Sequence, residues 1–479
     1  MTLKQRTLKG LKWTSLSSVF SAGISFLQLI VLARILGPEV YGTMAVLMVV
    51  IGFANLFVDL GISRYIIHKQ DEMTANQLHS MYWMNIFLSI SVYIVIFSSS
   101  SFIASFYSNI DNLAYFIKII SITFIINAIS MQHTVLFQKE MEFKIIEMIN
   151  MIRTTVNFIV ALLLAVNDFE VLSLIYATIL SAIIASAITI YKGWRYHKIC
   201  LHFNLAEIKE ALSFGLYFSG SKIVGTISGS LDILIVGKFF SQEELGIYNI
   251  AKKIVFQISS IFMPIIRKIL YPLLGKLQSD SDRLKKIYLQ VIGLASFIVV
   301  YIYGILYLVS SDIIYLFLGK EWINSIAILQ NFIPYAVLLV VGSLIGTLVN
   351  AKGKAYLSFY WSFWTLFTTA IVLYLIVQLN DISYIPYSYL ILTLFNIPIY
   401  YYFIITKLLN VSFIKYYRDI FLNFSFGIIS IILIQNINIS IENIYIKNIV
   451  IIVIYSIIYL SMIKLLNTNI LSYIKELKK

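Results

Sequence analysis

Apolar residues in this chain run on for twenty or more positions at a time, and the runs are bounded by charges and by Gly or Asn clusters. A helix needs roughly 20 mostly apolar residues to cross a bilayer. On that measure the pattern predicts spans at 13–36, 41–67, 80–107, 113–137, 145–166 and 169–191. A second set follows at 211–237, 246–272, 287–310, 325–350, 356–378, 383–405, 415–435 and 446–466. The first run is too long for the apolar core of a cleavable signal peptide, and no small-residue cleavage site follows it. The expectation is an all-α polytopic membrane protein of about fourteen transmembrane helices.

Basic residues decide how these spans are oriented, because short cytoplasmic loops collect Lys and Arg. With both termini inside, 27 of the 36 Lys and Arg fall in cytoplasmic segments and only Arg34, Lys238, Lys320 and Lys447 fall outside. The remaining five, Lys118, Arg153, Lys222, Lys252 and Lys253, lie within spans. One missed helix would invert every later loop and erase this bias, so the split supports the count as well as the direction. Both termini are expected on the cytoplasmic side of the membrane.

The chain also repeats itself weakly. LARILGPEVYGTMAV near the first outer loop and IVGKFFSQEELGIYNIA near the fourth align when Arg34 is set against Lys238. The same offset pairs Glu39 with Glu243, Gly42 with Gly246, Ser15 with Ser219, Leu27 with Leu231 and Arg64 with Lys268. Six helices separate the equivalents, so both copies point the same way, a parallel repeat about an axis along the membrane normal. The domain reading is a six-helix lobe over 1–191, a basic cytoplasmic linker over 192–210, a second six-helix lobe over 211–405, and two further helices with a short tail over 406–479.

Composition agrees and narrows the chemistry. Hydrophobic residues make up 60 % and charged residues 12 % of the 479, against about half and about a quarter in soluble chains. Mean hydropathy is +0.88. The net charge of +13 would suggest nucleic acid in a soluble protein, but here it lies in the cytoplasmic loops of a membrane protein, so no nucleic-acid partner is expected. The single Cys200 leaves no disulfide framework and no Cys-based zinc site. No Gly-Lys pair completes a phosphate-binding G-x-x-x-x-G-K-[ST] loop, and neither H-E-x-x-H nor G-x-S-x-G occurs. The histidines at 68, 79, 133, 197 and 202 do not fall at metal-ligand spacing. His197 and His202 flank Cys200 in the linker and read as interfacial packing. No catalytic residue, metal site or cofactor is indicated, and the chain does not read as an enzyme.

What remains are ionisable groups at membrane depth. Such groups are costly in lipid and usually face a bundle interior or a water-filled cavity. Lys222 lies about three turns into its span, roughly 16 Å deep at the helical rise, with Asp232 as a structural alternative partner. Arg153 shares one side of its helix with Asn150 and Glu147, and an Arg153–Glu147 pair is the bland reading. Lys252 and Lys253 point about 100° apart, so one at most lines a lumen fully, and snorkelling is the alternative. Lys118 is close enough to a helix end to snorkel. Asp59 reads as a helix cap, a partner for Arg64, or part of a gate. Several buried cations with few buried acids suit an anionic ligand, phosphate above all, and a two-lobe bundle suits alternating access.

The stretches LARILGPEVYG and DLGISRYI, echoed by GSLDILIVGKFFSQEELGIYNIA and by YLFLGKEW at 315–322, resemble the Wzx-type polysaccharide flippases. These belong to the multidrug/oligosaccharidyl-lipid/polysaccharide (MOP) exporter superfamily. The resemblance extends along essentially the whole chain and is weakest beyond about 380. It implies a V-shaped pair of lobes that moves undecaprenyl-pyrophosphate-linked oligosaccharide, for O-antigen, capsule or a related polymer, to the outer leaflet. It further implies a cationic lumen, for which Lys222 and Arg153 are the first candidates and Arg34, Arg64, Lys252 and Lys253 the second. Asp59 and Asp232 are gate or ion-pair candidates. H⁺ or Na⁺ coupling, and partnership with the polymerase and chain-length proteins of the same pathway, fit such a role. The alternatives are a cation-coupled multidrug exporter, which needs a lobe carboxylate such as Asp59 or Asp232, and a lipid II or teichuronic-acid flippase. A membrane polymerase or ligase would carry a large outer loop, which this chain lacks.

Overall fold

The computed structural model describes residues 3–69, 73–278, 280–437, 441–466, 469–470 and 472–473. Among them there is no strand. In hydrocarbon a backbone must satisfy its own N–H and C=O groups, and a continuous helix does so within one segment. Eleven helical stretches among the described residues are long and apolar enough to cross a membrane, which makes this a multi-pass membrane protein.

The first stretch is α1, Leu3–Asp59, 57 residues long. At about 1.5 Å per residue it is far longer than the roughly 30 Å hydrocarbon layer. It is broken at Gly37 (φ 71°, ψ 176°), followed by Pro38. Glycine tolerates the left-handed turn and proline has no N–H to continue the ladder. The break falls between the two spans expected at 13–36 and 41–67. A second left-handed pair, Leu60 and Gly61, separates α1 from α2, Ile62–His68. Then come α3, Ala75–Ser105, and the short α4, Leu113–Ile120, which is followed after two residues by α5, Thr123–Lys139. Next are α6, Phe143–Ala165, α7, Glu170–Gly193, and α8, Leu205–Phe239. The linker reduces to a non-helical stretch, 194–204.

Later elements are α9, Gln242–Lys276; α10, Ser281–Ile313, extended by a π turn; and α11, Ser325–Gly342, followed by α12, Leu344–Ala351. Then come α13, Ala355–Val377; α14, Tyr384–Tyr400; α15, Thr406–Leu409; α16, Phe413–Gln435; and α17, Ile444–Leu466. With α1 divided at its break, and with α8 and α9 at 35 residues each, the helices are compatible with fourteen spans.

Packing divides the chain into two units, Met1–Ile247 and Tyr248–Lys479. In the first, α6 packs on α1 and α7, and α5 on α3 and α7. In the second, α10 is the hub. Tyr459 and Tyr455 of α17 stack on one another with ring centres 5.7 Å apart, and on Phe297 and Tyr301 of α10. Their hydroxyls donate to the carbonyls of Phe297 and Val300. Asn423 of α16 donates to Ser296 Oγ at 2.7 Å. Both added C-terminal helices are thus bonded to α10, and Gly304 and Gly427 leave room for the Tyr455 hydroxyl and for Val300.

Candidate functional site

Apolar spans make any polar ladder conspicuous, and the first unit has one along α6. The Ser17 hydroxyl of α1 reaches the Glu147 carbonyl at 3.4 Å, and Gln28 donates to Asn157 Oδ1 at 2.9 Å. Asn157 in turn donates to Ser181 of α7 at 3.4 Å. Arg153 lies between these contacts. It stands three residues from Asn150 and four from Asn157, spacings that put side chains on one helical face. Its side chain is half-buried, and among the described residues it makes no hydrogen bond or ion pair. The Glu147 carboxylate is met instead by Asn150 Nδ2 at 3.5 Å, so the Arg153–Glu147 pair does not form. A guanidinium with five donors is left on a polar seam.

The other sequence candidates fare differently. Lys222 lies in α8, and its side chain is outside the described residues. Asp232, on the same helix, is fully buried. Arg34 and Arg64 are exposed, near the Gly37 break and in α2 respectively. Asp59 caps α2: its Oδ1 accepts from the Ser63 N–H at 3.0 Å and from the Ser63 hydroxyl at 2.7 Å. Lys252 and Lys253 belong to the second unit, half-buried and exposed respectively. Arg153, Arg34, Arg64, Asp59 and Asp232 therefore share the first unit.

The repeat gains a geometric counterpart. A β-carbon on Gly42 would overlap the carbonyl oxygen of Gln242, and one on Gly246 would overlap that of Pro38. Each such carbon would also lie 3.1 Å from the other glycine's backbone nitrogen. The pairing offset takes Gly42 to Gly246 and Pro38 to Gln242, so the two contacts are exchanged by the repeat. Self-complementary contact of this kind is what a two-fold axis produces. Gln242 Nε2 adds a bond to Thr43 Oγ1 at 3.2 Å.

Sequence spacing concealed one cluster. His79 of α3, His133 of α5, and His197 and His202 of the 194–204 stretch come together. The rings of His79 and His197 are 4.5 Å apart. The Cys200 N–H donates to His79 Nδ1 at 3.3 Å, and His133 Nε2 donates to the His197 carbonyl at 3.2 Å. Gly193 lies against the His133 ring with no room for a β-carbon. Ser80 donates to Glu207 Oε2 at 2.6 Å and accepts from the Asn204 N–H, while His202 meets the same carboxylate at 3.1 Å. The Ser80 hydroxyl first, then His202, holds Glu207 below the usual carboxylate range. Burial, with His79 and His133 adjacent, pushes His197 down to about 4. Buried His133 Nδ1 and His197 Nε2 have no hydrogen-bond partner. No three described side chains are placed to hold a metal ion. This is a docking site for the linker. Its members are up to 128 positions apart in the chain, from His79 to Glu207, so only folding reveals it.

Apolar spans with a polar seam carrying a cation describe a multi-pass membrane protein. Its helices share the fold of a solved structure, the lipid II flippase MurJ in an inward closed conformation, which superposes with a TM-score of 0.78 at 13 % identity, covering 94 % of this chain and 97 % of that one. The chain belongs to the polysaccharide biosynthesis protein family, which matches residues 31–327. It is 28 % identical to an uncharacterized membrane protein in the cps region of Klebsiella pneumoniae, over 92 % of this chain and 91 % of the relative. It is 27 % identical to the lipopolysaccharide biosynthesis protein WzxC of Escherichia coli K12, over 88 % and 86 %. The resemblance read from LARILGPEVYG and DLGISRYI therefore holds.

Proposed function

We propose that this protein is a flippase that carries a lipid-linked oligosaccharide, joined through pyrophosphate to undecaprenyl, from the inner to the outer leaflet of a bacterial cytoplasmic membrane. Both termini face the cytoplasm in this reading. The observation that carries it is Arg153, an unpaired guanidinium on the polar seam of α6 in a chain of this family and fold. A permanent cation at that depth is worth its cost only when an anion arrives to meet it, and a phosphate matches the guanidinium fork. Lys222 is assigned the same role, with Arg34, Arg64, Lys252 and Lys253 guiding the headgroup. Movement is by alternating access of the two repeats. Coupling to H⁺ or Na⁺ would use the buried Asp232, since Asp59 is already engaged as a cap. The polymerase and chain-length proteins of the pathway are its partners.

The test replaces Arg153 and Lys222 with Ala, singly and together, and measures surface polysaccharide at matched protein levels. The double variant is expected to lose export, and Arg153→Lys to retain part of it, because charge survives and the fork does not. Normal export by the double variant would sink the cationic-site reading and leave the fold untouched.

A further inference from the structure

Within the first unit a cavity of about 610 Å³ opens between the N-terminal end of α4 and the connection from α6 to α7. By the distribution of basic residues, both segments lie on the outer side of the membrane. One wall is aromatic. Tyr115 is 51 % and Phe169 43 % exposed, and Phe116 lies beside Tyr115 with ring centres 6.0 Å apart. The remaining lining is amide and carboxylate, from Asn112, Asn167, Asp168 and Glu170 over an apolar edge. No Lys, Arg or His lines it. Seven non-glycine residues of the described chain have a positive φ, and three of them, Asn112, Asp168 and Glu170, line this one cavity. Asn and Asp adopt this conformation more readily than other non-glycine residues, so the strain lies at Glu170, which lines the same concave surface.

The lining sorts the possible occupants. Two carboxylates and no cation oppose a phosphate or pyrophosphate, which would meet like charge. Amides and carboxylates without apolar enclosure oppose an acyl chain. No three metal-ligating side chains among the described residues are placed to share an ion. A sugar satisfies the whole lining. Its C–H faces pack on exposed rings, and its hydroxyls donate to carboxylate and amide oxygens that act as acceptors. The volume lies within the usual range for small-molecule sites.

We propose that this cavity is a saccharide-binding site on the outer face, taking neutral or amino-sugar units that carry no phosphate, and distinct from the seam that holds Arg153. It rests on the flippase reading only for the source of its ligand, a glycan presented at the outer face. The glycan would leave the cationic seam by its phosphate and be held here by its sugar rings.

The test uses the full chain in nanodiscs and saturation-transfer difference NMR with the methyl glycosides of glucose, galactose, N-acetylglucosamine and glucosamine. Transfer to at least one of them is expected. Tyr115→Ala and Phe169→Ala should each weaken binding about tenfold or more. Asp168→Asn, which keeps the aromatic wall and the fold, should weaken it less and shift preference away from glucosamine. Arg153→Ala, which removes the cation of the seam, should still bind. Transfer to none of the glycosides overturns the proposal, as does transfer unchanged in both aromatic variants. Transfer lost in Arg153→Ala but kept in the aromatic variants would place the sugar on the seam and overturn it too. Because binding is read without transport, failure of export in cells bears on the flippase reading alone.

Discussion

The crossing of α1 with the start of α9 and the docking of residues 194–204 both tie distant segments of the first unit together, by opposite means. At the crossing, Gly42 and Gly246 let two backbones meet, and almost nothing but main chain is involved. At the dock, side chains make the contacts: four histidines, Ser80, Glu207, and Trp83, whose Nε1 donates to the Cys200 carbonyl at 2.9 Å. A backbone contact has no titratable group and fails only through bulk. A contact made by buried imidazoles fails through charge. The first is set by residue size and the second by proton concentration, so the two ends of the unit respond to different perturbations.

The largest expected effect comes from adding bulk at the crossing. Gly42→Leu or Gly246→Leu should abolish recovery of folded protein, and Gly42→Ala or Gly246→Ala should each cost about 1–3 kcal/mol, the usual range for overpacking. Because each added carbon also approaches the other glycine's backbone nitrogen, one shift of the two backbones relieves both, and the double Ala variant should cost less than the sum of the singles. Yield of folded protein measures the two Leu variants, and thermal unfolding in detergent the three Ala variants. Additive costs would break the reciprocal picture.

Next in size is the pH response of the dock. His197 is held below its ordinary 6.5, at about 4, so the docked linker keeps it neutral. The docking contribution is complete above pH 6.5 and is lost as pH falls toward 4, at about 1.4 kcal/mol per pH unit for one group. Charging His197 would set it against His79 and His133. Cys200 is the one cysteine, and it is exposed, so a nitroxide attached there reports linker mobility directly. Its spectrum should sharpen as pH drops from 8 to 5, and His197→Asn should flatten the response. An unchanged spectrum across that range would show that the dock is not held by neutral histidine.

The smallest effect separates a cap from a gate. If Asp59 serves α2 only as its cap, Asp59→Ala should cost about 1 kcal/mol. Asp59→Asn, which still accepts from Ser63, should leave stability and export close to the parent. Loss of export in Asp59→Asn at normal stability would assign the carboxylate a part in transport.

Much of the fold was legible in the chain. The break expected after 36 falls at Gly37, and α6, α16 and α17 begin and end within two residues of their expected spans, because twenty-residue apolar runs have one stable arrangement in lipid. The repeat was legible as a numerical offset, and the glycine crossing gives it a contact. Arg153 could be singled out by depth alone. Its lack of a partner among the described residues could not, because a long guanidinium can reach groups on other helices and only the fold shows which of them stand near. Asp59 is similar: its bond to Ser63 rather than Arg64 depends on the Leu60–Gly61 turn, a backbone detail without an apolar signature.

By itself the sequence determined that the chain crosses a membrane many times, where its basic residues gather, and that cations outnumber acids within the apolar runs. Those properties follow from how single segments partition between water and lipid, and partitioning depends on local composition. Which polar groups meet was decided only by the tertiary structure. The gathering of His79, His133, His197 and His202, the exchange of contacts between Gly42 and Gly246, and the cavity between α4 and α7 each join segments far apart in the chain. The physical reason is that hydrogen bonds and steric fits act over a few ångströms of space, and positions along an apolar helix do not record who will stand across from it.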